Sequence, residues 1–521
     1  MAPLASLGRQ VAALPVQVRI GLLALLCFFI NLGGAPLFDV DEGAFSAATM
    51  EMLARGNYVM TYLGGLPRFD KPILIYWLQA ASVSTFGLNE WALRLPSALA
   101  ATGWMLVTWQ FARRFGETTA LYAAAILGCG LGPMLIGRAA TTDALLNLLI
   151  AAALLDAWRH LESGRRAPLL RMYAWIGFGL LAKGPIAALV PLMATFAWTV
   201  LAREWRRFLR AAFEPLGWLL VLAIAAPWYI AIYLDQGQAF VDGFIMKHNV
   251  SRFSATMLGH GGSPFYYFVV LPLTLLPFTG LLFAVLRGVR GQWRDPLDRY
   301  LWLAFFCVFV FFSLSATQLP HYLLYGATPL AILLARHRQL LLSGWLAYAP
   351  ALLLGLLLLF LPELAGLKGG HVNAQFSDML ARTATVFGTG YRVAIIAFLG
   401  VTAAMWLWQR QPPASGLMIV ALMQALLLAT VVLPAAGQWQ QGPVVDAAAE
   451  ARKHTETVVT WGVNYPSFAI YRAEVTPVRP PLSGEIALTR ADRLAELPPA
   501  EILFRSGSLV LARFGQRSDD R

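Results

Sequence analysis

The chain alternates long apolar runs with short polar interruptions, and the runs have the length a bilayer asks of a helix. About 20 consecutive apolar residues cross the hydrocarbon core. Thirteen such stretches can be read: 18–38, 91–112, 118–137, 142–160, 170–182, 184–202, 214–234, 264–286, 299–316, 319–335, 341–361, 391–409 and 415–434. The fifth is short and passes almost directly into the sixth across Pro185, which predicts a tight hairpin. Three regions break the pattern: 39–90, 235–263 and 435–521. In the first, AFSAATMEMLARGNY places apolar residues at helical spacing, with Gly56 as a stop. LIYWLQAASVSTFG repeats the pattern after Pro72, so two interfacial helices are expected. In the last region TVVTWGVN and SLVLARFG alternate on either side of ADRLAEL, the pattern of a small α/β module. The expected architecture is an all-α polytopic membrane domain over 1–434 with a soluble α/β domain over 435–521.

Composition narrows the class. Of 521 residues, 58% are hydrophobic and 13% charged, whereas a soluble domain carries roughly a quarter charged residues. The net charge of +12 is explained by its distribution. With the N-terminus inside, nineteen arginines fall on short cytoplasmic segments, the bias that orients membrane proteins. The basic excess is a topology signal, and nucleic-acid binding is not expected. Cys27, Cys129 and Cys307 each sit in an apolar run and are expected to pack. No phosphate-binding glycine loop, nucleophile elbow or metalloprotease helix motif is present, so no nucleotide cofactor is expected.

The lysines behave differently. Lys71, Lys183, Lys247, Lys368 and Lys453 all fall on the external side, joined by Arg68, Arg94, Arg138 and Arg252. Topology does not require cations there, so either an anionic ligand or local salt bridges and lipid contacts account for them. The sharpest acidic cluster is Asp39-Val-Asp41-Glu42, where the first span ends. Three acids in four residues repel one another, which invites raised pKa values or a bound cation; the alternative is a solvated loop start with a helix cap. Arg68-Phe-Asp70-Lys71-Pro72 offers a point charge for a phosphate and a carboxylate for a divalent cation, or a surface salt bridge. Gly137-Arg138 to Asp143, Lys183-Gly184-Pro185 and Lys247-His248-Asn249 to Arg252 complete the candidate clusters, with the glycine-rich 259–262 loop behind the last.

The stretch DEGAFSAATMEMLARGNYVMTYLGGLPRFDKPILIYWLQAASVSTFGLNEWALRLPSALA resembles the first external loop of the aminoarabinose-transferase and protein-mannosyltransferase-like membrane glycosyltransferases, more narrowly the bacterial aminoarabinose-transferase branch. The resemblance extends to TTDALL, LLAKGPIAALVP, KHNVSRF, SPFYYFVVLPLTLLPF, QLPHYLLYGATPLAILLA and YPSFAIYR. It implies a C-type glycosyltransferase fold and an inverting transfer of a sugar from a polyprenyl-monophosphate donor to a lipid A, glycan or protein acceptor. The implied location is the periplasmic face of a bacterial inner membrane. It also implies Asp41 as the catalytic carboxylate, with Glu42 and Asp143 beside it. Lys71 would contact the lipid phosphate, with Arg68, Arg138, Lys183 and Arg252 as further anion ligands. Asp70 and His248 fall where such enzymes place ligands of a divalent cation (zinc, magnesium or manganese). This chain has Asp70 where the family more often carries the longer Glu. The competing expectation is a non-enzymatic transporter of lipid-linked glycans, disfavoured by the few ionisable groups inside spans seven to thirteen.

Overall fold

A computed structural model describes residues 14–250, 262–366, 382–408 and 412–515. Each of the thirteen apolar stretches falls on helical structure. Five helices are long and apolar enough to cross a membrane: Asp143–Ser163, Pro215–Gln236, Pro296–Ser313, Thr389–Leu407 and Pro413–Ala451. Two more spans are bent pairs, Glu117–Cys129 with Leu131–Gly137 at 66° and Tyr266–Thr274 with Thr279–Arg287 at 117°. Gly130, with extended backbone, makes the first break. Pro277, which lacks an N–H to continue the ladder, lies in the second. Val16–Phe29, Ile186–Leu201 and Gly344–Leu359 are shorter apolar helices.

This is a multi-pass membrane protein, and its helices pack through small residues. Ala98, Ala101, Ala120, Ala123, Ala124 and Ala151 are fully or almost fully buried in the main core, which lets backbones approach where lipid gives no hydrophobic drive. The outward face of Pro215–Gln236 presents Trp218, Leu219, Leu222, Ile230 and Leu234. Cys27 and Cys129 are free, buried and packed Sγ to Sγ at 3.6 Å.

The segment 39–90 holds two helices, Asp41–Arg55 and Leu74–Phe86, and a hairpin between them. Gly56 ends the first helix in the left-handed conformation, as its position predicts. The expectation of a helix lying on a surface is corrected for Asp41–Arg55. Every residue from Glu42 to Met52 is buried, because the C-terminal module covers the face that would otherwise meet solvent.

The last membrane helix does not stop at 434. Pro413–Ala451 runs on as one 39-residue helix, and its far end is already core of the C-terminal module, where Val444, Ala447, Ala448 and Ala451 meet Val458, Phe468, Ile486 and Leu511. The module's sheet has the order 458–460, 486–490, 509–514, 500–506, the first pair parallel and the rest antiparallel. ADRLAEL forms a 3₁₀ turn rather than an α-helix.

Candidate active site

Asp39, Asp41 and Glu42 meet the start of Asp143–Ser163 in a cavity of about 270 Å³, lined also by Arg138 and His321. The three clustered acids have three different surroundings.

Glu42 is 4% exposed and fully engaged. One carboxylate oxygen accepts from Arg94 Nε (2.8 Å) and the Ala140 N–H (2.7 Å). The other accepts from Arg94 (2.7 Å) and the Phe38 N–H (2.9 Å). Arg94 also donates to the carbonyls of Leu32, Ala35 and Pro36. A carboxylate with four donors has no lone pair to spare for a substrate proton, so the expected catalytic role of Glu42 gives way to holding the loop. Asp39 is held from the other side. It accepts from the N–H of Ser467 (3.0 Å) and from its hydroxyl. The Gln441 amide, in the orientation that satisfies both of its ends, donates to Asp39 Oδ2 (3.1 Å) and accepts from the Asp39 N–H (3.0 Å). Burial pushes the Asp39 carboxyl up to about 7 against the Ser467 hydrogen bonds, and Glu42 nearby adds to the rise.

Asp41, between them, is exposed at the cavity and makes no hydrogen bond or ion pair among the described residues. It opens the helix Asp41–Arg55, where the N-terminal dipole favours a carboxylate.

Below these acids lies a charge pair the sequence placed on two separate turns. Lys183 Nζ reaches Asp143 Oδ1 at 2.5 Å, both side chains about 10% exposed. His321 Nε2 stands 3.7 Å from the same oxygen, and Thr141 donates to the other. The Lys183 ammonium also sits over the rings of Tyr322 and Tyr325. Lys71, half-buried, acts electrostatically on Asp143 from the segment 39–90. Arg138 is 5% exposed and donates to the carbonyls of Cys27, Ile30 and Asn31, at the end of the first membrane helix. Its expected role as a substrate ligand is therefore secondary to closing that helix end. Gly137 makes this possible, since a Cβ there would meet Phe28 at 2.7 Å and Ala101 at 2.8 Å.

Asp70 and His248 are brought together, as Oδ1 and Nε2 at 2.9 Å. Burial acts to raise the Asp70 carboxyl, but the His248 hydrogen bond and the charges of Arg68 and Lys71 hold it well below the usual carboxylate range. Arg68 reaches Asp70 at 3.4 Å and donates to the Ala44 carbonyl at 2.6 Å. For a divalent cation this set fits poorly. Zinc asks for three or four protein donors, and no group of three His, Cys, Asp or Glu side chains is assembled among the described residues. The two present are bonded to each other and flanked by cations. Arg252 and residues 259–261 lie outside the described residues.

Sequence reasoning missed four members of the site. His321 sits inside QLPHYLLYG, where Pro320 opens a 3₁₀ turn; a histidine next to a proline at a span end was the available signal. Ser467, Gln441 and Tyr471 come from the C-terminal region, and nothing local marks them as partners of a loop more than 400 residues away.

With this geometry in hand, the comparisons are direct. Residues 70–230 match a family model described as dolichyl-phosphate-mannose-protein mannosyltransferase. The undecaprenyl phosphate-α-4-amino-4-deoxy-L-arabinose arabinosyl transferase of Edwardsiella ictaluri is 30% identical over 61% of this chain and 59% of its own length. That of Erwinia tasmaniensis is 32% identical over 60% and 57%. The chain thus spans under two thirds of the curated relatives it matches. Among solved structures, ArnT from Cupriavidus metallidurans bound to undecaprenyl phosphate superposes with a TM-score of 0.79, at 20% identity, over 95% of this chain and 97% of that one. The resemblance read from the sequence is borne out: the chain has the C-type glycosyltransferase fold over nearly its whole length, and about three-fifths of it is similar in sequence to the aminoarabinose transferases.

Proposed function

We propose that this protein is an inverting glycosyltransferase that moves a sugar from a polyprenyl-monophosphate donor to an envelope acceptor at the external, periplasmic face of a bacterial inner membrane. The names of its relatives point to an aminoarabinose-type pentose carried on undecaprenyl phosphate. The observation that carries the reading is the contrast among the three acids that line the cavity: Glu42 is locked, Asp39 is held, and among the described residues Asp41 alone of the three has a carboxylate with no hydrogen-bond or ion-pair partner.

In the transfer, the bond between the anomeric carbon and the donor phosphate oxygen breaks with its electron pair left on the phosphate. The acceptor oxygen attacks from the opposite face, and its proton goes to Asp41. Charge develops on the leaving polyprenyl phosphate, and Lys71, whose charge already acts on the cavity residue Asp143, is the cation assigned to it in this reading. The Asp143–Lys183 pair beneath, with His321, fixes a polar floor that stays charge-balanced before substrate arrives. The Asp70–His248 pair holds Lys71's own segment in place.

The length of one helix and the charges at its end support this orientation. Asp143 and Ser163 are the first and last residues of a 21-residue helix, about 30 Å long at 1.5 Å per residue and so the thickness of a hydrocarbon core. Around the Ser163 end, Arg114 pairs with Glu162, Arg166 with Glu214, and Arg207 with the His160 carbonyl. The arginine-rich end takes the cytoplasmic side by the charge bias, which leaves the cavity outside. The test is turnover: purified protein with polyprenyl-monophosphate sugars and an envelope-lipid extract releases free polyprenyl phosphate, and Lys71→Ala releases far less.

A further inference from the structure

Among the contacts between the C-terminal module and the acidic loop, one is made by a half-buried carboxylate, Asp39. Asp39 lies two residues before Asp41 and lines the same cavity. Its partners come from two elements of the C-terminal part of the chain: Ser467, from the helix Ser467–Arg472, and Gln441, from the far half of Pro413–Ala451. The contact is continued on both sides. The Leu37 N–H donates to the Tyr471 hydroxyl at 2.6 Å, and the Val478 N–H donates to the Gly64 carbonyl in the hairpin at 3.2 Å. Space is tight. A Cβ on Gly43 would fall 1.8 Å from Asp39 Oδ1 and 2.7 Å from the Ser467 nitrogen.

We infer that Asp39 is a positioning residue through which the C-terminal module, by Ser467 and Gln441, sets the start of the helix that carries Asp41. The module is then a working part of the catalytic loop rather than only an appended soluble domain. Asp39 does not exchange a proton with substrate in this account. A neutral asparagine can still accept from the Ser467 N–H and donate to the Ser467 hydroxyl oxygen, so it keeps the contact with Ser467–Arg472 while losing the bond from the Gln441 amide, whereas alanine keeps neither.

The kinetic half of this inference rests on the proposed glycosyl transfer, so its test has an arm that does not. Hydrogen exchange of the full-length protein in detergent reports protection of the 467–472 amides. In Asp39→Ala and in Ser467→Ala that protection falls at least tenfold, and in Asp39→Asn it stays within about threefold of wild type. Unchanged protection in both alanine variants overturns the latch, whatever the enzyme does. Where turnover is measured, Ser467→Ala and Asp39→Ala lower kcat about tenfold with the donor KM within twofold, and Asp39→Asn recovers most of the loss. Loss of turnover in Asp39→Asn as complete as in Asp41→Asn would make Asp39 a proton carrier and contradict the assignment. Wild type that turns over no donor sinks the glycosyl-transfer reading and leaves the exchange arm to judge the latch.

Discussion

Asp39, Asp41 and Glu42 are within four residues of one another, yet the donors around each give them different chemistry. Asp41→Asn removes the free carboxylate and is expected to lower turnover about 100- to 10,000-fold, the range for losing a general base, with donor binding retained in an equilibrium assay. Glu42→Gln unpairs a buried guanidinium and is expected to cost about 3–5 kcal/mol, read as a large fall in thermal midpoint before any kinetic effect. Asp39 should show itself in pH dependence. Its carboxyl is raised from 3.8 to about 7 in the folded protein, so the docked state binds the proton more tightly than the open one. Its stabilising contribution is therefore complete below pH 3.8 and is lost as pH rises through about 7. The groups around it are Glu42, tied to Arg94, with Asp41, Asp143, Arg138 and His321 on the cavity and Tyr471 from the module. The comparison of wild type with Asp39→Asn cancels their contributions. Thermal stability of wild type should fall from pH 5 to pH 8 relative to the variant, and parallel curves would remove Asp39 as the cause. At this scale the sequence exposed the cluster and, through the family resemblance, the choice of Asp41. It did not expose the partition of roles, which depends on donors supplied by Arg94, Ala140, Ser467 and Gln441 from distant parts of the chain.

Helix identity and ends were readable because they are local. Apolar runs, Gly56 and the Pro185 turn all act within a few residues, and the helices fall where they predict. The burial of Asp41–Arg55 was not readable, since its second apolar face is explained only by packing against Ser467–Arg472, as Ala47, Met50, Ala469 and Ile470 share one cluster. The end of the last membrane helix at 451 rather than 434 has the same origin: Gly437, Gln441 and Gly442 look like a terminus, yet all three are buried against neighbours. Gly43→Ala therefore tests the element contact directly. It should loosen the module without adding or removing a charge, by pressing on Asp39 and Ser467, seen as faster protease cleavage within 452–515 in the full-length protein. The floor of the cavity makes a second element-scale case. Asp143→Asn or Lys183→Met alone leaves a buried charge unpaired, and the double variant should be more stable than the worse single one. Strict additivity of the two losses would show that the pair is not coupled.

The whole molecule places its arginine-rich end and its acidic cavity at opposite ends of a helix as long as a bilayer is thick. A cysteine introduced at Ser483, on the exposed C-terminal module, should react with a membrane-impermeant thiol reagent from the periplasmic side of intact cells; reaction only after lysis would invert the topology. The native thiols Cys27 and Cys129 are fully buried, and the half-buried Cys307 of the membrane helix Pro296–Ser313 is removed by using a Cys307→Ala background. The fold class was legible from hydropathy alone because the bilayer permits few solutions, while the substrate is carried by a handful of side chains converging from the first loop, two membrane turns and the C-terminal module. The most direct test is a single comparison with polyprenyl-monophosphate-linked aminoarabinose and an envelope-lipid extract. Free polyprenyl phosphate released by wild type, and its loss in Asp41→Asn with donor binding intact, is the result this account predicts. Release by Asp41→Asn at the wild-type rate, or tight donor binding without release by wild type, would contradict it.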